Sequence, residues 1–223
     1  MNKREEAENR MSLNEKYFKY SAFSASEKLW YYSSVKKMLR RLNIEYPDFY
    51  VWYDRLFQED KELHSDREII ICEKEYHIAG VAILKSTKKE KKICTLRVIK
   101  PFQRQGIGRR LMEHSFEWLE DDKPLITMHK SKQYQFASLL DYYGFTLEEK
   151  QWNYYNIFST ELSYNGVLTK KNTLFNEQEI MSVSRWYWDY LDTGRYDLKE
   201  FIEECVQKLY LNEQKRRMQM IYE

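Results

Sequence analysis

Cysteine and glycine are scarce in this chain of 223 residues, and long apolar runs are absent from it. Cys72, Cys94 and Cys205 show no metal-ligand spacing and adjoin no histidine cluster, so the sequence indicates neither a metal site nor a disulfide framework. No apolar stretch approaches the roughly 20 residues that a helix needs to cross a bilayer. Residues 1–11 are mostly polar or charged, unlike a signal peptide. We therefore expect a cytoplasmic protein with reduced cysteines and no membrane contact.

The composition is that of a globular protein. Hydrophobic residues make up 43% of the chain and charged residues 32%, which allows a substantial core and a well-solvated surface. The formal net charge of +2 indicates no particular class of partner. Aromatic side chains are numerous, with 19 Tyr, 11 Phe and 6 Trp, and at that density they fill a core or form surfaces that bind a partner.

A glycine-containing turn follows the apolar strand pattern of residues 93–99 and leads at once into a helical pattern. Gly106 and Gly108, two of the six glycines, lie in this turn. Glycine weakens a helix, so a functional reason is expected: without a Cβ, a ligand can approach the backbone closely. The start of a helix also offers unpaired N–H groups and partial positive charge, which suit a pyrophosphate. Three cationic side chains flank the turn: Arg104, Arg109 and Arg110.

The first third of the chain shows mostly helical signals. Residues 17–23 alternate weakly and predict a first strand. Ser24 and Glu27 have the spacing of a capping box, which predicts that a helix begins there. A second, shorter helix is predicted over residues 49–58. The first helix is expected to bury an apolar stripe: Leu29, Tyr32, Val35, Leu39 and Leu42.

The central part of the chain predicts a mixed α/β sheet. Three apolar runs with short links predict an antiparallel meander: 68–72, 76–85 and 93–99. A helix from Gly106, a strand at 125–128 and a helix at 134–143 follow, which makes the strands at 93–99 and 125–128 parallel. Two further strands are expected at 145–147 and 152–158.

The turn carries a resemblance to a known family. The spacing Gln103-x-x-Gly106-x-Gly108 after a strand resembles the acetyl-CoA motif, Q/R-x-x-G-x-G/A, of the GCN5-related N-acetyltransferases (GNAT). The resemblance covers roughly residues 15–160, and the order of predicted strands and helices is the one that this family has. It implies the GNAT acyl-CoA N-acyltransferase fold and acetyl-CoA as co-substrate.

The resemblance also implies which residues hold the co-substrate. The pantetheine arm would pair with backbone at Leu96 and Val98, and the Val98 N–H would polarise the thioester carbonyl. The pyrophosphate would lie on the turn and its flanks: Gln103, Arg104, Gln105, Gly106, Ile107, Gly108, Arg109 and Arg110. The cation for the adenosine 3′-phosphate stays open among Arg104, Arg109, Arg110 and Lys132.

The catalytic groups are less well defined by the sequence. In the resembled family, a tyrosine four residues before a Gly-Phe pair protonates the leaving thiolate, and here that position is Leu140. Tyr143 lies one helical turn further on, where it is either a substitute acid or a core residue. His129, at a strand end, is the candidate general base, with Glu148 and Glu149 as alternatives. No metal ligands are predicted.

The domain organisation follows from these patterns. Residues 1–14 predict a charged tail or helix, 15–165 a GNAT-like domain, and 173–223 an appended C-terminal helical hairpin. Asp197 is expected to cap the second helix of the hairpin. The two helices are expected to bury apolar stripes: Ile180, Val183, Tyr187, Tyr190, Leu191, Phe201, Ile202, Cys205, Val206 and Leu209. Either a second copy of the chain or another protein would bind there.

Two functions remain open from the sequence. The first is an acetyl-CoA-dependent N-acetyltransferase that acetylates an amine of unknown identity by direct attack on the thioester. The second, favoured by Leu140, is a catalytically weak or inactive GNAT-fold protein that binds CoA and acts in regulation or as a protein or RNA interaction module. A basic stretch at 85–100 is compatible with nucleic acid, yet no nucleic-acid-binding motif accompanies it.

Overall fold

The computed structural model of the protein describes residues 15–46, 48–152, 154–155, 160–168 and 177–208. The chain divides into two compact units, residues 1–169 and 170–223. The predicted boundaries at 165 and 173 bracket this division, and the charged segment 1–14 lies outside the described residues.

The first unit is built on a seven-stranded mixed sheet with the strand order β1-β2-β3-β4-β5-β7-β6. The strands are β1 (Glu15–Lys19), β2 (Arg67–Lys74), β3 (His77–Ser86), β4 (Lys91–Val98), β5 (Leu125–His129), β6 (Leu147–Trp152) and β7 (Thr160–Tyr164). Only β4 and β5 are parallel among the paired strands that the structure describes. The predicted meander, the predicted parallel pair and the mixed α/β class are confirmed.

The helices of the first unit are α1 (Ala25–Leu39), the short α2 (Leu42–Glu45) and α3 (Phe49–Asp54), then α4 (Ile107–Leu119) and α5 (Gln133–Tyr142). The capping box at the start of α1 is confirmed, because the Ser24 N–H donates to the Glu27 carboxylate at 2.8 Å. The predicted stripe of α1 is partly wrong: Leu29 is 57% exposed, and the buried face carries Tyr31 and the stem of Lys28 instead.

Two cores lie on opposite faces of the sheet. Helices α1 and α3 cover one face and α4 and α5 the other. Alternation along β2 divides its side chains between them, with Ile69 and Ile71 facing α1 and α3 and Ile70 and Cys72 facing α4 and α5. A sheet covered on both faces explains why the central residues of β2 and most of β3 are apolar without alternation.

The parallel strands β4 and β5 separate soon after they meet. Within these two described strands the pairing consists of Lys92 with Leu125 and Ile93 with Ile126. Beyond Ile93, β4 continues for five residues alongside β3 only, while β5 pairs with β7. The sheet therefore contains a gap between the carboxyl ends of β4 and β5.

Several predicted boundaries are wrong. The first strand begins at Glu15 and gives way to a 3₁₀ turn at Tyr20–Ala22. Helix α3 ends at Asp54 rather than at residue 58. The last two strands, expected at 145–147 and 152–158, are Leu147–Trp152 and Thr160–Tyr164. The sequence LEEKQW lacks the apolar alternation that identifies strands, and TELSY contains only two apolar residues, Leu162 and Tyr164. Part of the range 152–158 lies outside the described residues.

The second unit contains α6 (Glu177–Asp192) and a further helix, α7, over residues 198–208. Gly194, at a φ of +75°, turns the chain between them, and the Asp197 carboxylate caps α7 by accepting from the Lys199 N–H at 2.9 Å. Tyr190 and Phe201 are buried, with ring centroids 5.4 Å apart. The predicted stripes are wrong at Tyr187 and Val206, which are exposed, and the Ile180 side chain and Leu209 lie outside the described residues.

None of the helices in the described part of the chain is long and apolar enough to span a bilayer. In the same residues, no group of three or more His, Cys, Asp or Glu side chains is arranged to hold a metal ion.

Candidate functional site

The backbone of β4 presents hydrogen-bonding groups to the gap. The Ile99 N–H donates to the Ala79 carbonyl of β3 at 2.9 Å. Because neighbouring residues of a strand direct their N–H groups to opposite sides, the Val98 N–H faces away from β3 and towards the gap. Leu96, two residues earlier, has the same orientation. The two amides that the sequence assigns to pantetheine and thioester binding thus face the space that β5 leaves open.

A tight turn connects the end of β4 to α4. A 3₁₀ turn at Lys100–Phe102 precedes it, and two residues adopt left-handed backbone: Arg104 at a φ of +60° and Gly106 at a φ of +82°. The first hydrogen bond of α4 runs from the Arg110 N–H to the Gly106 carbonyl at 3.1 Å. The N–H groups of residues 107–109 consequently have no acceptor within the helix and form an anion-binding terminus.

The glutamines of the turn bind protein groups. The Gln103 amide donates to the Val98 carbonyl at 2.9 Å, which ties the turn to the end of β4. The Gln105 side chain donates to the Pro101 carbonyl at 3.0 Å and accepts from Lys74 at 2.8 Å. Both side chains therefore shape the turn, and its backbone is left to face a ligand.

The two glycines of the turn differ in what surrounds them. A Cβ at Gly106 would lie 2.8 Å from Nη1 of Arg110, and the positive φ disfavours any side chain there. A Cβ at Gly108 would meet only the Val98 side chain, at 3.9 Å. The motif's tolerance of alanine at its last position agrees with this difference.

The three arginines of the turn are not equivalent. Among the described residues, nothing hydrogen-bonds or ion-pairs with the exposed Arg104 side chain. Arg109 lies 3.4 Å from Glu113 one helical turn away, with both side chains about half exposed. Arg110 is held by the Glu15 carboxylate, with Nε and Oε1 2.6 Å apart. Arg104 is therefore the best-placed cation for a phosphate, and Arg110 is committed to the protein.

The candidate acid points to α4 rather than to the gap. Leu140 is 2% exposed and belongs to the core beneath α4. The Tyr143 hydroxyl donates to the Glu113 carboxylate at 3.1 Å and lies 3.4 Å from the Arg109 carbonyl. Burial, together with this hydrogen bond to Glu113, raises the pKa of Tyr143 to about 12. A phenol with that pKa is a poor proton donor to a thiolate, whose own pKa is about 8.5.

We expect Tyr143→Phe to lower turnover less than about 10-fold and to lower the melting temperature by about 2–4 °C. The second effect follows from losing one hydrogen bond of about 1 kcal/mol in a unit of this size. Steady-state kinetics and thermal unfolding of the same preparation measure both. A fall in turnover of about 10² or more, at unchanged stability, would instead identify Tyr143 as the acid.

The candidate base lies at the carboxyl end of β5. Ile126 and Met128 belong to the core with α4 and α5, so His129 lies on the opposite face of the sheet. The Nδ1 atom of its ring accepts from the Ser131 N–H at 3.2 Å and lies 2.8 Å from the Ser131 hydroxyl oxygen. The backbone N–H of His129 donates to the Tyr46 hydroxyl at 3.2 Å. In the neutral ring, Nε2 then carries the proton.

Polar side chains of β7 were missed by the sequence reasoning. Glu161, 1% exposed, lies directly opposite His129 across the β5–β7 pair, and Ser163, 0% exposed, lies opposite Thr127. Leu162 and Tyr164 face α4 and α5, so Glu161 and Ser163 share the other face with His129. The alternation of Glu161, Leu162, Ser163 and Tyr164 is that of a strand with one exposed face, so it does not reveal that β7 is buried at every position.

Comparison with known proteins identifies the central part of the chain. Residues 35–138 match the model of the acetyltransferase (GNAT) family. That stretch includes the meander, the gap, the turn and α4. A search of curated proteins finds no match.

The solved structures to which the chain is similar include the following three. A putative streptothricin acetyltransferase from Bacillus anthracis, solved with acetyl coenzyme A, is 17% identical; the match covers 44% of this chain and 62% of that one, with a TM-score of 0.40. A GNAT family acetyltransferase from Elizabethkingia anophelis with acetyl-CoA bound is 21% identical; the match covers 45% of this chain and 75% of that one, with a TM-score of 0.38. Ard1 from Thermoplasma volcanium is 14% identical; the match covers 68% of this chain and 96% of that one, with a TM-score of 0.44. The present chain thus spans less than two thirds of the first of these proteins. Residues 35–138, within the first unit, are therefore identified by this match as part of a GNAT acetyltransferase domain.

Proposed function

We propose that this protein is an acetyl-CoA-dependent N-acetyltransferase that transfers the acetyl group to an amine by direct attack on the thioester. The observation that carries the proposal is the gap between β4 and β5, which ends at the turn before α4. The β4 amides that face the gap are followed, at the end of the strand, by the start of α4, where three N–H groups have no acceptor within the helix. This arrangement suits a ligand with an amide-containing arm and a pyrophosphate.

The residues along the gap and the turn fit the parts of CoA. The backbone of Leu96 and Val98 would pair with the amides of the pantetheine arm. The N–H groups of residues 107–109 would hold the pyrophosphate, because Gly106 presents no side chain and the partial positive charge of the helix end favours anions. The free Arg104 guanidinium would bind a phosphate group. When bound, the thioester supplies an activated acetyl group.

The chain itself would contribute little beyond positioning and polarisation. The Val98 N–H would donate to the thioester carbonyl oxygen as negative charge develops on it. His129 remains the proposed base, and it would take a proton through Nδ1 only when both the amide and the hydroxyl of Ser131 move away from that nitrogen. The thiol, with a pKa near 8.5, is a leaving group that needs no strong acid.

A specific observation favours the second function, CoA binding with weak or no turnover. Leu140 is buried where the resembled family has its acidic tyrosine, and the Tyr143 hydroxyl is bound on α4. A missing general acid typically costs about 10²–10⁴ in rate. The cofactor turn is nevertheless complete, so a protein that has lost turnover would still bind CoA.

Calorimetric titration of the full chain with acetyl-CoA and with 3′-dephospho-CoA tests the binding part. We expect acetyl-CoA to bind, and Arg104→Asn, which tolerates left-handed backbone, to weaken binding about 3- to 10-fold. If Arg104 meets the 3′-phosphate, the variant and the loss of that phosphate will have non-additive effects. Absence of acetyl-CoA binding to the unmodified protein would refute the proposal.

Turnover separates the two functions. A thiol-release assay with a panel of primary amines, together with mass spectrometry of the acceptor, should show acetylation under the first function. Binding of acetyl-CoA without any acetylated product across the panel would support the second.

A further inference from the structure

A charged network links the cofactor turn to the first strand of the sheet. Arg110 binds Glu15 through two hydrogen bonds, from Nε to Oε1 at 2.6 Å and from Nη2 to Oε2 at 2.9 Å. The Glu15 side chain is only 4% exposed, whereas Arg110 is about one third exposed. The Tyr17 hydroxyl donates to Glu15 and accepts from Arg110 Nε at 3.1 Å. Planar, two-point pairing of this kind fixes the direction in which a guanidinium points.

Arg110 and Lys74, two members of the network, also bind Gln105, the residue between the two left-handed positions of the turn. Arg110 Nη2 donates to the Gln105 carbonyl at 2.9 Å. Lys74 Nζ donates to the Gln105 side chain at 2.8 Å and lies 3.7 Å from Glu15 Oε2. Backbone and side chain of Gln105 are thus both bound by cations that Glu15 neutralises.

The turn needs such support because its backbone is costly. Left-handed backbone is unfavourable at a residue other than glycine, and Arg104 adopts it without any side-chain partner in the described part of the chain. Conformations of this kind persist where surrounding contacts over-determine them. The Arg110 and Lys74 contacts to Gln105 are such contacts, and they lie on the side of the turn that faces β1 and β2.

We propose that Glu15 is a positioning residue for the co-substrate: by holding Arg110 and Lys74 against Gln105, it keeps the amides of residues 107–109 directed at the pyrophosphate. Glu15 itself touches no ligand in this arrangement. The inference rests on the CoA binding proposed above and adds to it a residue 95 positions away from Arg110 in the sequence.

The charge state of the network agrees with this role. Burial raises the pKa of Glu15, but hydrogen bonds from Arg110 and Tyr17 and the charges of Arg110 and Lys74 outweigh it, and the net shift is downward. Glu15 is therefore ionised at neutral pH and balances Arg110. Without that carboxylate, Arg110 would no longer be directed to the Gln105 carbonyl.

Glu15→Gln tests the inference, because it keeps the size of the side chain and removes its charge. We expect the CoA dissociation constant and the inhibition constant of inorganic pyrophosphate against CoA to rise together, by about 10-fold. Binding of pantetheine, which lacks the pyrophosphate, should change less than about 2-fold. Glu62→Gln removes an ion pair with Lys28, remote from the turn, and serves as the matched control with unchanged affinities.

The outcomes separate the two proposals. If the unmodified protein does not bind CoA, both are refuted. If it binds CoA and Glu15→Gln binds CoA and pyrophosphate equally well, only the role of Glu15 is refuted; equal weakening of pantetheine and CoA would refute it too. Should Glu15→Gln not fold, Tyr17→Phe removes one contact to the same pair, and a rise of about 3-fold for CoA but not for pantetheine is expected.

Discussion

Gly106→Ala should weaken CoA binding about 10- to 100-fold, whereas Gly108→Ala should leave it within about 2-fold of the unmodified protein. The two variants add the same methyl group, two residues apart. At Gly106 it enters left-handed backbone, which costs about 1–2 kcal/mol, and every 1.4 kcal/mol is a factor of ten in affinity. The added Cβ would also lie 2.8 Å from Arg110 Nη1, and Arg110 cannot withdraw easily because Glu15 holds it.

Calorimetric titration of both variants with CoA measures this difference, with thermal unfolding to show that each is folded. At Gly108 the new Cβ would contact the Val98 side chain at an ordinary 3.9 Å, so the amides of the turn keep their direction. Equal affinities of the two variants would show that the pyrophosphate does not bind at this turn.

Gly80→Ala should lower the free energy of unfolding of the first unit by about 1–3 kcal/mol, the usual cost of overpacking a core. Gly80 lies on β3 beneath α4, and a Cβ there would be 2.9 Å from Leu111 Cδ1 and 3.0 Å from the Arg97 carbonyl oxygen. The backbone carbonyl cannot move without disturbing the β3–β4 pairing. The absence of a side chain at Gly80 thus sets how closely α4 packs on the sheet.

Chemical denaturation of Gly80→Ala beside Gly166→Ala provides the comparison. At Gly166 an added Cβ would make ordinary contacts with Leu125, the nearer at 3.5 Å, and φ is not positive. We expect this control to change the unfolding free energy by less than about 1 kcal/mol. Similar losses in both variants would mean that α4 is not closely packed at Gly80.

The sequence predicted those helices and strands whose buried positions are occupied by apolar residues, either on one face or on both. Strands β2 to β4 are apolar runs and were predicted almost at their observed bounds. Strand β7 was missed because both of its faces are buried although Glu161 and Ser163 occupy one of them, and no hydrophobic pattern can reveal a buried polar face. The exposure of Leu29 was missed because the packing of α1 on the sheet decides which of its faces is buried. The buried face includes the stem of Lys28 instead of Leu29.

For the site, local chemistry was predictable and long-range chemistry was not. The glycines and the motif spacing predicted the turn, since a turn depends on residues that are adjacent in sequence. The same spacing offered Arg110 as a phosphate ligand. Only the fold shows that β1 brings Glu15 to that arginine, so that the Arg110 guanidinium is engaged by the protein itself.

The two cores of the first unit are separate, so the residues of one can change in evolution without changing those of the other. The side chains under α1 and α3 meet those under α4 and α5 only through the backbone of the sheet. Substitutions in one core therefore act nearly independently of substitutions in the other, as changes at sites without shared contacts generally do. The core under α1 and α3 can therefore change while the turn before α4, which is built on the opposite core, keeps its structure.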